Sequence, residues 1–127
     1  MIDLPRSVHI ITKMVYLLQV ADGMTFLAER NIYHGDLASR NVLLTDRLTA
    51  KVSDFGLSRR LYTNIGDPQS AMKITTDGKT LPMPWQWLAL EVLMSQTLIP
   101  EKSDVWSYGI LTWEIFTLGD EPYRACK

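Results

Sequence analysis

From His9 to Glu29 the apolar residues recur along two neighbouring helical stripes, with Ile11, Met14, Val15, Leu18, Ala21 and Ala28 on one and Ile10, Leu17, Val20, Met24 and Leu27 on the other. So broad an apolar face predicts a helix buried on most sides. A second helical period runs from Asp104 to Leu118 through Val105, Trp106, Tyr108, Ile110, Leu111, Trp113, Ile115 and Phe116, with Ser103 placed to cap its start and Gly119 to end it. Asp104 and Glu114 interrupt this run, which suits a central core helix and not a membrane span. Trp85, Trp106 and Trp113 are expected to serve packing. Between the helices, Val42 to Leu44 and Ala50 to Ser53 read as two short strands around a turn at Thr45 to Leu48. Residues 58 to 84 follow neither period and are rich in Gly, Pro, Asp, Asn, Ser and Thr, so a long loop is expected there. The pattern is that of a mostly α chain with one short strand pair.

Composition narrows the function. A chain of 127 residues falls in the range of one domain, and a domain near this length hides roughly 68% of its unfolded surface. The net charge of -1, with no basic stripe, argues against a nucleic-acid partner. Cys126 is the one cysteine, so no internal disulfide can form and a reducing compartment is expected. The start, MIDLPRSVHI, lacks the apolar centre of a signal peptide. No stretch reads as the ~20 apolar residues that cross a bilayer, so a soluble segment is expected.

The chemistry concentrates in HGDLASRNVLL, residues 34 to 44, and in SDFG, whose Asp54 follows Asn41 by thirteen positions (54 minus 41). Phosphoryl transfer needs a group to orient and deprotonate the attacking hydroxyl, and metal ions to neutralise the phosphates. Asp36 can do the first. Asn41 and Asp54 offer the hard oxygen ligands that magnesium prefers. A histidine and aspartate spaced as in HxD are, alone, usually a loop histidine and a capping aspartate. The full set HxDxxxxN followed by SDFG is far more specific.

With these residues in place the chain resembles the eukaryotic protein kinases, and within them the receptor tyrosine kinases. The resemblance runs through QVADGM (19 to 24), HGDLASRNVLL, KVSDFGLSR (51 to 59), PWQWLALE (84 to 91) and KSDVWSYGILTWEIFTLGDEPY (102 to 123). Ala38 and Arg40 in DLASRN, and Pro84 with Trp87 ahead of ALE, are tyrosine-specific marks. WEIFTLG looks most like the platelet-derived and vascular endothelial growth factor receptor class. The resemblance implies the central part of the kinase large lobe, with residues 1 to 127 forming a partial catalytic domain whose small lobe and large-lobe end lie elsewhere. It makes Asp36 the catalytic base, Arg40 a phosphate-side positive charge, and Asn41 and Asp54 the ligands of magnesium bound with ATP. It places Leu43 beneath the adenine, His34 and Phe55 in the regulatory core, and Pro84 on the shelf that admits a tyrosine. Asp104 would brace the loop through backbone hydrogen bonds. The partners implied are protein substrates bearing tyrosine. The implied parent is a single-pass membrane receptor that dimerises, with this segment on the cytoplasmic side of the plasma membrane.

Departures from the family pattern carry information too. The 127 residues contain no glycine-rich loop, no VAIK-type lysine and no glutamate helix, so the chain alone is expected to be inactive. Leu90 stands where the family has proline, and Gln86 where it has a basic residue. Gly35 stands where tyrosine kinases carry an arginine that pairs with a phosphorylated activation-loop tyrosine. Tyr62 is the one such tyrosine here, and its phosphate would lack that partner. Two other readings remain open on sequence: a non-catalytic pseudokinase or interaction fragment, and a small-molecule phosphotransferase of the aminoglycoside and choline kinase kind, which also uses HGD followed by asparagine.

Overall fold

A computed structural model describes residues 9–54, 75–76, 79–80, 85–90 and 100–126. Helix α1 spans Ile10–Glu29. It starts where His9, in extended geometry, turns its Nδ1 to accept the Ile11 N–H at 3.3 Å. At the other end Asn31 takes a left-handed φ of 54°, and the Asn31 and Ile32 amides close back on the Ala28 and Leu27 carbonyls at 3.0 and 2.9 Å. Asparagine tolerates that geometry better than most residues, so the helix stops there without a glycine.

After the 34–41 loop and a single 3₁₀ turn at Ser39–Asn41, strand β1 (Val42–Leu44) pairs antiparallel with β2 (Ala50–Val52) in the register Val42 to Val52, Leu43 to Lys51 and Leu44 to Ala50. Thr45 closes the connecting turn by accepting from the Leu48 and Thr49 amides. The β2 edge does not lie open, because the Ala50 N–H donates to Gln19 Oε1 of α1 at 2.8 Å. A further ladder, β3 (Thr75–Thr76) with β4 (Lys79–Thr80), lies inside the stretch expected to be featureless loop. Asp77-Gly78 between Thr75-Thr76 and Lys79-Thr80 is a hairpin signal that a search for long alternation passes over. The rest of that stretch lies outside the described residues.

Helix α2 spans Pro100–Phe116, so it begins four residues before the expected Asp104. Proline suits a first helical position, where its missing N–H has no partner to lose. Ser103 is therefore not the cap. It is buried within the helix, and its carbonyl accepts the Ser107 hydroxyl at 3.1 Å. The C-terminus is closed by Leu118, at φ 61°, and Gly119, whose amide reaches the Glu114 carbonyl at 2.8 Å. The expected glycine stop holds, displaced by one residue.

Both helices were expected to be buried; each is buried along one stripe only. Leu17, Val20 and Leu27 of α1 join Tyr16, Leu37, Val42, Ala50, Leu111 and Ile115 in or beside the core, whereas Ile10, Ile11, Met14, Val15 and Leu18 stay exposed. On α2, Val105 is 71% exposed, and Trp106 and Trp113 are each 42% exposed, so these tryptophans are not core residues. Among the described residues, the core built on β1, β2, Leu37 and the facing helix covers one stripe of each helix. Trp85, 44% exposed, stacks on Tyr123 with ring centroids 6.0 Å apart. Among the described residues α1 is also long and apolar enough to cross a membrane, which corrects the expectation that no stretch reaches that length. Asp22 breaks the apolar run without lowering its average far. Here its inner stripe packs on β2 and α2.

Candidate active site

The 34–41 loop is held from beneath by α2. Asp104, buried one turn into the helix, accepts the His34 N–H at 2.8 Å on one carboxylate oxygen and the Gly35 N–H at 3.0 Å on the other. A buried carboxylate is tolerable when charge-assisted hydrogen bonds replace its water, and two successive amides do so here. Gly35 has a φ of 78°, a region that costs other residues strain, so the glycine suits the turn in which these amides converge. The bracing role expected of Asp104 is thus present in the geometry.

His34 is fully buried. Its Nδ1 accepts the Asp36 N–H at 3.0 Å, and its Nε2 lies 2.7 Å from the Ser53 carbonyl. A backbone donor on one nitrogen and an acceptor on the other select the tautomer that carries its proton on Nε2. The imidazole therefore joins the loop to the end of β2. Asn41 makes the same connection by another route, since its carbonyl accepts both the Ser53 N–H at 2.8 Å and the Ser53 hydroxyl at 2.9 Å. Asp54 follows at once, exposed and with a left-handed φ of 61°. Aspartate, like asparagine, tolerates this left-handed backbone better than most residues.

Asp36 sits between two donors. Arg40 Nη2 pairs with its Oδ1, and Asn41 Nδ2 donates to its Oδ2 at 3.0 Å and to its backbone carbonyl at 2.7 Å. With its nitrogen given to Asp36, Asn41 has its amide oxygen left to offer a hard cation. Asn41 and Asp54 fit magnesium in ligand type, with phosphate and water completing the shell. Among the described residues no group of three or more His, Cys, Asp or Glu could hold a metal ion. Leu43, on the outer face of β1, is 52% exposed. Arg40 does not stand free as a bare positive charge: besides Asp36, its guanidinium lies 4.5 Å from the centre of the Trp87 ring. Phe55, Tyr62 and Pro84 lie outside the described residues.

Glu114 escaped the sequence reading, which took it only as an interruption of an apolar helix. It is 5% exposed, and its carboxylate accepts from the Ser39 N–H at 2.9 Å, the Ser39 hydroxyl at 2.8 Å and the Trp87 indole N–H at 2.9 Å. The available signal was a charge flanked by Trp113 and Ile115, which a core helix keeps only if something is bound to it. A cleft of about 230 Å³ opens beside Arg40, Trp87 and Glu114.

The family model for protein tyrosine and serine/threonine kinases matches residues 3–127. Curated relatives include fibroblast growth factor receptor 1 of Dugesia japonica, 49% identical over 87% of this chain and 12% of the relative. Tyrosine-protein kinase Mer of Mus musculus is 40% identical over 94% of this chain and 11% of the relative. Vascular endothelial growth factor receptor 1 of Homo sapiens is 45% identical over 85% and 7%. The chain therefore spans about a tenth of the length of these relatives. With 125 of its residues (3 to 127) under one family model and the HxDxxxxN and DFG elements in order, the chain belongs to the protein tyrosine and serine/threonine kinase family.

Proposed function

We propose that these residues form the central part of the large lobe of a receptor-type protein tyrosine kinase, which transfers the γ-phosphoryl group of ATP to a tyrosine hydroxyl of a protein substrate. One observation carries the reading. Asp36 is held between Arg40 and Asn41 on a loop pinned by Asp104 and tied through His34 and Asn41 to the strand end that bears Asp54. In this reading the Asp36 carboxylate orients the phenol and takes its proton as the phenol oxygen bonds to phosphorus, while the bond from phosphorus to the ADP oxygen breaks. Asn41 and Asp54 would hold magnesium, which neutralises phosphate charge when bound, and Leu43 would lie under the adenine. Phe55 and His34 are assigned to the regulatory core, Pro84 to the tyrosine shelf and Tyr62 to the phosphorylation site of the loop. The parent is read as a single-pass receptor that dimerises, with this segment on the cytoplasmic face.

The test is peptide phosphorylation by the complete catalytic domain that contains these residues. Asp36→Asn is expected to lower kcat by a factor on the order of 10²–10⁴, the usual contribution of a positioned base. Equal activity in the variant would remove the reading. The 127-residue chain alone, without a glycine-rich loop or its lysine, is expected to show no transfer above its Asp36→Asn control.

A further inference from the structure

We propose that Trp87 and Glu114 are positioning residues for the phosphoryl acceptor: Glu114 fixes the Trp87 indole as a platform, and the platform sets the Arg40 guanidinium against Asp36. The inference rests on the tyrosine kinase reading, and it concerns a network that reading does not use. Glu114 belongs to the last turns of α2, and its donors come from two segments 48 positions apart (87 minus 39). One side is Ser39, next to Arg40 in the catalytic loop; the other is Trp87, beyond residues 55–84. A single buried carboxylate thus fastens the loop to the segment that follows the activation-loop stretch.

Trp87 is held at two points. Its indole N–H goes to Glu114, and its carbonyl accepts the Ser107 hydroxyl of α2 at 2.7 Å. Neither contact covers the ring face, and the Arg40 guanidinium lies 4.5 Å from the ring centre. An exposed arginine has many rotamers, and a planar cation on a fixed aromatic face keeps few of them. From that platform Arg40 reaches Asp36 through one nitrogen, Nη2. Without it, the guanidinium could swing to engage both carboxylate oxygens or leave for solvent, and Asn41 alone would orient Asp36 toward the phenol. A cleft lined by Ser39, Arg40, Trp87 and Glu114 opens on the Arg40 side of this network.

The complete catalytic domain is assayed as Trp87→Phe, Trp87→Leu and Glu114→Gln. Trp87→Leu and Glu114→Gln are expected to lower kcat for a tyrosine peptide tenfold or more, with the KM for ATP within twofold of the parent. Trp87→Phe, which keeps a ring under Arg40 but loses the N–H that Glu114 holds, should recover part of the Leu loss. A Phe variant no better than Leu, or a KM for ATP that rises as kcat falls, would overturn the proposal. A second readout is independent of activity. In the 127-residue chain the Arg40 side-chain protons should show an upfield ring-current shift by NMR, lost in Trp87→Leu and reduced in Glu114→Gln. Arg40 resonances unmoved by both substitutions overturn the platform whatever the kinase assay gives. If Asp36→Asn keeps full activity while the Arg40 shift behaves as expected, the kinase reading falls and the platform stands. Should Glu114→Gln fail to fold by circular dichroism, the comparison of Phe with Leu at position 87 decides.

Discussion

Asp104 shows how much one side chain can decide. Its carboxylate is the acceptor for two successive amides of the 34–41 loop, at His34 and Gly35, and an amide of the same size cannot replace it, because its NH₂ would face a donor. Asp104→Asn is therefore expected to cost about 1–3 kcal/mol of unfolding free energy, read from the urea midpoint at constant slope. An unchanged midpoint would show that the loop stands without its brace. Gly35 bears on the same turn from the other side. Family resemblance suggests arginine as the natural replacement, yet the φ of 78° puts any side chain there under strain. Gly35→Arg and Gly35→Ala should both destabilise the chain, by about 1–2 kcal/mol. A cost for Arg but none for Ala would point to crowding by the longer side chain instead of backbone strain.

At the scale of elements, the two helices differ in how they carry glycine. Gly109 lies in α2, and an added Cβ there would meet nothing within 4 Å. Gly23 faces β2, and its Cβ would stand 3.4 Å from Val52 Cγ2, at ordinary contact distance. Helical glycine costs about 0.5–1 kcal/mol relative to alanine when space allows the methyl. Gly109→Ala should therefore gain that amount in thermal or urea unfolding, and Gly23→Ala the same or slightly less. A loss at Gly23 would mean that Val52 cannot yield, so that close approach of helix to sheet is the reason for the glycine. The helix ends follow one rule: both close on a left-handed residue, Asn31 and Leu118, with paired backward hydrogen bonds. Only at the second does a glycine follow, yet the sequence placed the first end at Glu29, where the helix stops, and the second at Leu118, two residues beyond Phe116.

For the molecule as a whole, α1 and α2 are joined across the core by the Tyr108 hydroxyl, which donates to the Leu17 carbonyl at 2.8 Å. Burial pushes the Tyr108 phenol above its ordinary range. A phenol harder to ionise when folded supports the fold fully below the pKa it has in the unfolded chain. That support is lost as pH rises through the folded value. Stability should thus fall above about pH 10, and Tyr108→Phe should flatten part of that fall. An identical alkaline profile in the Phe variant would assign the fall to other groups. The exposed stripes of α1 and α2 belong to this scale as well, since burial depends on what the rest of the fold can cover.

The candidate set was legible in the sequence alone: Asp36, Asn41 and Asp54 stand at the spacing that the proposed phosphoryl transfer asks for, and local spacing is a property of the chain itself. The helices and the strand pair were legible for the same reason, since hydrophobic period is local. What only the tertiary structure decided is contact between distant positions. Which of two apolar stripes on α1 turns inward depended on where β2 and Leu111 lie. Glu114 read as an interruption until the fold brought Ser39 and Trp87 to its carboxylate from 75 and 27 positions away. A buried charge acquires its meaning from its partners, and partners so far apart in the chain are chosen by packing.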